Sequence, residues 1–290
     1  MSVKERDPLT GHQTTGHEWN GITELNTGVP MAIWWFIGIT HVWALIYWVL
    51  MPTWPLVNTY TRGLLGFDQK TYVNDQIEAR QEQRSWWTKP MKEKSIDEIR
   101  ADPELMRVVD ATAPALFGDN CAACHGPQAA GGPGFPSLVD SAWLWGGGSD
   151  DIMETLRVGI NSPHPETRIS QMPAFGYDGI LTRDEIRAVT AYVSSLSGTE
   201  GPREVHDAGA ILFADNCASC HGDDGKGSTE LGAPNLTDAF WIYGGDEASL
   251  LRTVYGGRHG WMPSWEGRLG LAERKILTIH IQDLGEGQGK

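Results

Sequence analysis

The sequence has no cysteine to spare. All four cysteines in 290 residues fall in two copies of one five-residue motif. None remains for a structural disulfide, which excludes a small cross-linked scaffold. Basic residues are also short: 23 Lys and Arg stand against 37 Asp and Glu, a formal net charge of −14. Binding a phosphate backbone needs a basic face, so a nucleic-acid partner is excluded. The acid excess lies almost wholly beyond residue 100. It fits a basic protein partner steered by long-range attraction, and it equally fits simple solubility. No convincing apolar/polar alternation marks a strand, so a mainly α fold is expected.

Long hydrophobic runs are absent except for one. Residues 31–51 read MAIWWFIGITHVWALIYWVLM without a charged residue. At the helical rise per residue such a run spans roughly 30 Å, the hydrocarbon thickness of a bilayer. Trp34 and Trp35 stand near one end and Trp48 and Trp54 near the other, as expected of interfacial aromatic belts. Pro52 and Pro55 stop the helix. The run is too long and too far from the first residue for a cleaved signal, and no small-residue cleavage site follows it. The expectation is an uncleaved transmembrane anchor over 29–55, preceded by an N-terminal segment, 1–28. His41 lies mid-span, where a polar ring faces a protein neighbour more often than lipid.

The second half is a duplication. LFGDNCAACHG (116–126) matches LFADNCASCHG (212–222), GFPSLVDSAWLWGG (134–147) matches GAPNLTDAFWIYGG (232–245), and QMPAF (171–175) matches WMPSW (261–265), always in the same order. Two homologous domains, 104–198 and 203–287, are expected, with SGTEGPRE (197–204) as the linker between them. Helices are expected near 150–159, 182–196, 210–220, 246–256 and 271–284, the second of these opened by the capping-box pattern Thr182-Arg-Asp-Glu185. The polar stretch before them, 56–103, reads as a connector with a surface helix at about 69–85 and an extended segment after it. Trp86 and Trp87 there suit contact with a neighbour better than full solvation.

Both cysteine motifs are C-x-x-C-H: Cys121-Ala-Ala-Cys124-His125 and Cys217-Ala-Ser-Cys220-His221. This is the attachment pattern of a c-type haem. Two thiols three residues apart reach the two vinyl groups on one porphyrin edge, and the adjacent histidine sits under the iron. A redox dithiol needs no histidine after it, and one shared zinc site would not explain a repeated methionine downstream. That methionine is Met172 in the first repeat and Met262 in the second, each followed by proline. A thioether is a suitable sixth ligand and raises the iron potential. His164 and His259 do not match across the repeat, nor do Met106 and Met153, and all four rank lower. The carbonyls of Pro136 and Pro234 are placed to accept the other ring N–H of His125 and His221. Trp143 and Trp241 match and would line the haem edges or simply pack the cores. Haem attachment occurs outside the cytoplasm, which puts residues from about 56 onward there and residues 1–28 inside.

The segment Glu18-Trp-Asn-Gly-Ile22 with Glu24-Leu-Asn26, the anchor exit Tyr47-Trp48 through Pro52-Thr-Trp-Pro55, and the tandem haem motifs together resemble subunit III, the dihaem P subunit, of cbb3-type haem–copper cytochrome c oxidases. The resemblance covers nearly the whole chain. It implies one N-terminal transmembrane helix followed by two tandem class I cytochrome c domains. It implies two covalent haem c groups, held through Cys121, Cys124, Cys217 and Cys220. Their irons would be ligated by His125 with Met172 and by His221 with Met262. It further implies a non-catalytic, single-pass subunit of a bacterial inner membrane. That subunit would take electrons from a soluble or membrane-bound cytochrome c donor. It would pass them to a monohaem cytochrome subunit and the catalytic haem–copper subunit of a proton-pumping oxidase that reduces oxygen to water. Because the second domain is farther along the chain from the anchor, its haem is expected to receive electrons first. A cytochrome serving another membrane enzyme, a dihaem peroxidase and a haem-based sensor are the competing readings.

Overall fold

The computed structural model describes residues 6–198 and 203–286 and divides them into two compact units, up to Gln83 and from Arg84. The first unit opens with a hairpin absent from the strand-free reading. Strands β1 (Thr14–Trp19) and β2 (Ile22–Leu25) pair antiparallel around Asn20-Gly21. Both turn residues have positive φ, 50° and 86°, which an Asn-Gly pair accepts readily and which matches the twist of the strands. The strands are short and mostly exposed, so no alternation of burial betrays them in the sequence.

Helix α1 (Met31–Leu50) is long and apolar enough to cross a membrane, and none of its side chains is buried against the protein. Its last carbonyls do not go unpaired: Leu64 and Leu65 donate their backbone N–H groups to Val49 and Leu50 at 2.9 and 3.0 Å. The His41 ring meets the Ile37 carbonyl one turn back at 2.7 Å, so its polar edge is satisfied within the helix itself.

Helix α2 (Gln69–Glu93) runs a full two turns beyond the expected end at about residue 85 and carries Pro90 inside it. Its last turns belong to the second unit. There Trp87 and Met91, four residues apart on one face, pack into the same apolar core as α3 (Ile96–Arg100) and α4 (Pro103–Asn120). Met91 is fully buried, while Trp86 stays exposed. Packing of this face explains why the helix persists where the polar composition suggested an extended connector. Ser95 and Glu98 form a capping box on α3, and Asp102 caps α4 with Pro103 at its first position.

The repeats then supply α5 (Ala122–His125), α6 (Ser149–Val158) and α7 (Arg183–Leu196), followed by α8 (Arg203–Asn216), α9 (Ala218–His221), α10 (Glu247–Gly256) and α11 (Leu271–Glu286). Helices α6, α7, α10 and α11 fall close to the expected segments, α8 begins before the expected residue 210, and Thr182 and Glu185 do form the capping box of α7. The cores, however, do not follow the repeats. Helix α11 packs on α4 and α6, while α7 packs on α8 and α10. The chain therefore builds most of one core, leaves it after α6, builds the other core without interruption, and returns to finish the first with α11. Within the second core the helices run in permuted order, the terminal helix α7 preceding α8. The expected linker at 197–204 thus joins two helices of one core; residues 199–202 of it lie outside the described residues.

Candidate haem sites

Each site begins with a helix that stops at the first cysteine of its motif. Helix α4 ends at Asn120, and a single turn, α5, then carries Cys124 and His125. Helices α8 and α9 repeat this with Cys220 and His221. All four cysteines are free thiols; Cys121 is buried and Cys217 partly so, while Cys124 and Cys220 are exposed. Burial pushes the Cys121 and Cys217 thiols up to about 11, with the neighbouring cysteine adding a smaller push, so both stay protonated at neutral pH.

The imidazoles are held alike. His125 Nδ1 lies 2.9 Å from the Pro136 carbonyl oxygen, and His221 Nδ1 lies 3.0 Å from that of Pro234. With a carbonyl as partner, Nδ1 must be the protonated nitrogen, which leaves Nε2 as a free lone-pair donor. Burial lowers both imidazoles below the ordinary histidine value and outweighs the carbonyl, which pulls the other way. A neutral imidazole with a fixed tautomer is what a metal ligand requires.

The methionines pack across the repeats. Met262, not Met172, packs into the core around Cys121, beside Phe117, Ile152, Leu156 and Trp265. Met172 packs into the core around Cys217, with Phe175, Phe213 and Leu236. Short backbone ladders fix this exchange. Ile160 and Met262 trade N–H···O bonds at 2.9 Å each, and Met172 and Arg258 do so at 2.8 and 3.1 Å. Gly159 and Gly257, at φ of 69° and 65°, make the approach feasible. A Cβ on either would fall 2.5 Å from the carbonyl oxygen of the methionine laid across it. The repeat alignment could not reveal the exchange, because matched blocks align identically whichever core each methionine joins.

The lower-ranked ligands lie elsewhere. Met106 and Met153 pack against the core containing Met91, and His164 Nε2 lies 3.0 Å from a Glu266 carboxylate oxygen. Trp143 and Trp241 pack into the cores around Cys121 and Cys217 respectively. Trp265, the last residue of the matched WMPSW block, and Leu277 and Ile281, which no motif announced, line the first site from the far end of the chain. Paired thiols, a neutral imidazole with Nε2 free, and a thioether within one apolar core fit a haem c at each position.

Comparison with known families agrees with this geometry. Residues 11–58 match the N-terminal domain of cytochrome oxidase-cbb3, FixP, and residues 111–197 and 206–273 match cytochrome c. The chain is 46% identical to the cbb3-type cytochrome c oxidase subunit FixP of Bradyrhizobium sp. (strain ORS 278), over 98% of both chains. It is 43% identical to subunit CcoP of Azospirillum sp. (strain B510), over 99% of this chain and all of the relative. With subunit CcoP of Cereibacter sphaeroides it shares 42%, again over 99% of this chain and all of the relative. The hairpin and anchor of the first unit, the two haem sites of the second and these full-length likenesses place the chain in the FixP/CcoP family of cbb3-type cytochrome c oxidase subunits, as a membrane-anchored cytochrome c.

Proposed function

We propose that the chain carries two haem c groups and relays electrons, without catalysis of its own, from a cytochrome c donor into the oxygen-reducing subunits of a cbb3 oxidase. The observation that carries this is the duplicated site: thiols, neutral imidazole and thioether are assembled twice from matched residues. Cys121 and Cys124 attach one group and Cys217 and Cys220 the other. His125 with Met262, and His221 with Met172, would ligate the two irons. When bound, each group supplies a one-electron couple. The protein fixes each imidazole through a proline carbonyl and surrounds each thioether with apolar side chains, which would leave a bound haem no free iron position for a small ligand. A methionine for each site argues against a peroxidase, which needs an open position.

The proposed partners are the catalytic haem–copper subunit, a monohaem cytochrome c subunit and a soluble or membrane-bound donor cytochrome c. The acid-rich haem region suits a basic donor. Residues before α1 are placed in the cytoplasm and the haem region in the periplasm, since attachment occurs there. Purification from the native membrane in mild detergent tests the reading. Two haems per chain, copurifying b-type haem and copper, and oxygen uptake driven by reduced cytochrome c are expected. A lone dihaem protein recovered where other complexes stay intact would refute the oxidase role.

A further inference from the structure

The two cores meet along a seam built from equivalent aromatics. Trp145, buried at 9% exposure, lies two residues beyond Trp143 of the first site. Its indole does not face that site alone. A Cβ added to Gly232 would fall on the Cε2–Cζ2 edge of the ring, so the indole occupies the space that a side chain at Gly232 would need. Gly232 has φ of 62° and stands two residues before Pro234, whose carbonyl holds His221. The Arg168 guanidinium lies over the same ring, 4.8 Å from the centroid. Arg168 is itself tied to the first core, through Nη2 to the Asp151 carbonyl at 3.1 Å and through its backbone N–H to Gly159 at 3.1 Å. The indole is thus clamped between the frame of one site and the histidine-holding loop of the other.

The mirror contact exists and is looser. Tyr243 approaches Gly134, where a Cβ would lie 3.7 Å from the ring, and the Gly134 N–H donates to the Ile242 carbonyl at 2.9 Å. Gly134 precedes Pro136, the partner of His125, by the same two residues. Arg258 covers Tyr243 at 4.1 Å. The Trp145 Nε1–H is buried and meets no acceptor among the described residues.

We propose that Trp145, a residue of the first repeat, is a positioning residue for the haem of the second repeat: it seats the Gly232–Pro234 loop and so sets the hydrogen bond that orients His221. This rests on the reading of His125 and His221 as axial ligands. The carbonyl bond to a ligating histidine governs ring orientation and ligand basicity, so displacing the loop moves the potential of the iron above it. The seam thereby makes each haem's tuning depend on an aromatic of the other repeat, more strongly in the direction from Trp145 to His221.

The test is redox titration of the full-length protein in detergent, with potentials assigned using Cys217→Ala/Cys220→Ala, which keeps only the haem on the first motif. Haem staining of the wild type reports separately on the underlying reading: no covalent haem would sink that reading, not merely the seam. In Trp145→Ala the midpoint of the haem on His221 is expected to move more than that of the haem on His125. Trp145→Phe keeps a flat ring against Gly232 and is expected to shift that midpoint less than Trp145→Ala does. A shift confined to the haem on His125, no shift in either, or a full shift in Trp145→Phe would each overturn the proposal. If Trp145→Ala does not accumulate, Tyr243→Ala decides: a shift centred on the haem of His125 supports it, and one centred on that of His221 overturns it.

Discussion

At the scale of single residues, the methionines bear the heaviest inference. Met262 lies in the core of Cys121, so Met262→Ala is expected to remove the near-infrared methionine band of the haem on the first motif. Met172→Ala should leave that band in place and abolish its counterpart on the second. Spectra of the Cys217→Ala/Cys220→Ala protein carrying each methionine change in turn would separate the two cases. The candidate ligands stand out in the sequence because chemistry constrains them: a thiol pair with a histidine directly after it, followed far downstream by a Met-Pro step, suits almost nothing but a haem c. Which ligand serves which iron was not legible. That depends on where residues 160–170 and 257–261 send the chain, and backbone ladders such as Ile160 with Met262 leave no residue signature beyond a glycine.

At the scale of elements, helix α11 stabilises a site far from it in sequence. Ile276, Leu277 and Ile279 are fully buried, each contributing roughly 1.5–3 kcal/mol. Leu277→Ala should cost about 2–5 kcal/mol through transfer loss and the cavity left behind. Differential hydrogen exchange should show the protection lost in α4 and α6 and retained in α7 and α8. The cap of α7 predicts the complement. Thr182→Ala removes the acceptor for the Glu185 N–H and should cost about 1 kcal/mol, felt in the core around Cys217. Helix positions were readable from caps and apolar spacing, but the partners of each helix were not, since an apolar face does not name the helix it packs against.

The first crossing is pinned by charge. Arg157 pairs with Glu154 at 2.8 Å and Glu166 at 2.6 Å, and His164 reaches Glu266 at 3.0 Å. The hydrogen bond from His164, aided by Arg157 and Arg274, holds the Glu266 carboxyl below its usual value, and Arg157 does the same for Glu154. A carboxyl depressed in the fold contributes stability above its unfolded value and loses it as pH falls through the lower, folded value. Acidification below the ordinary carboxylate range should therefore loosen residues 160–170 first. Hydrogen exchange in that segment, followed from neutral pH downward, would show protection falling there before it falls in α7.

At the scale of the molecule, the second core is continuous in sequence from about Met172 to Arg258, whereas the first is split around it. Truncation after Leu196 should accordingly fail to give an intact first site, because Met262 and α11 are missing. A protein of two independent tandem domains would give one. Absorption and proteolysis of the truncated chain decide between them. The repeat announced two domains, and the count of haem motifs is two, but duplication in sequence proved a poor guide to which residues share a core.

The return of α11 also sets a timetable. A polypeptide made from its N-terminus exposes the first C-x-x-C-H motif early, yet Met262 and α11, which complete the core around it, follow the whole of the second core. The later motif is enclosed sooner, by helices already present. The motif that emerges first is thus the one that closes second.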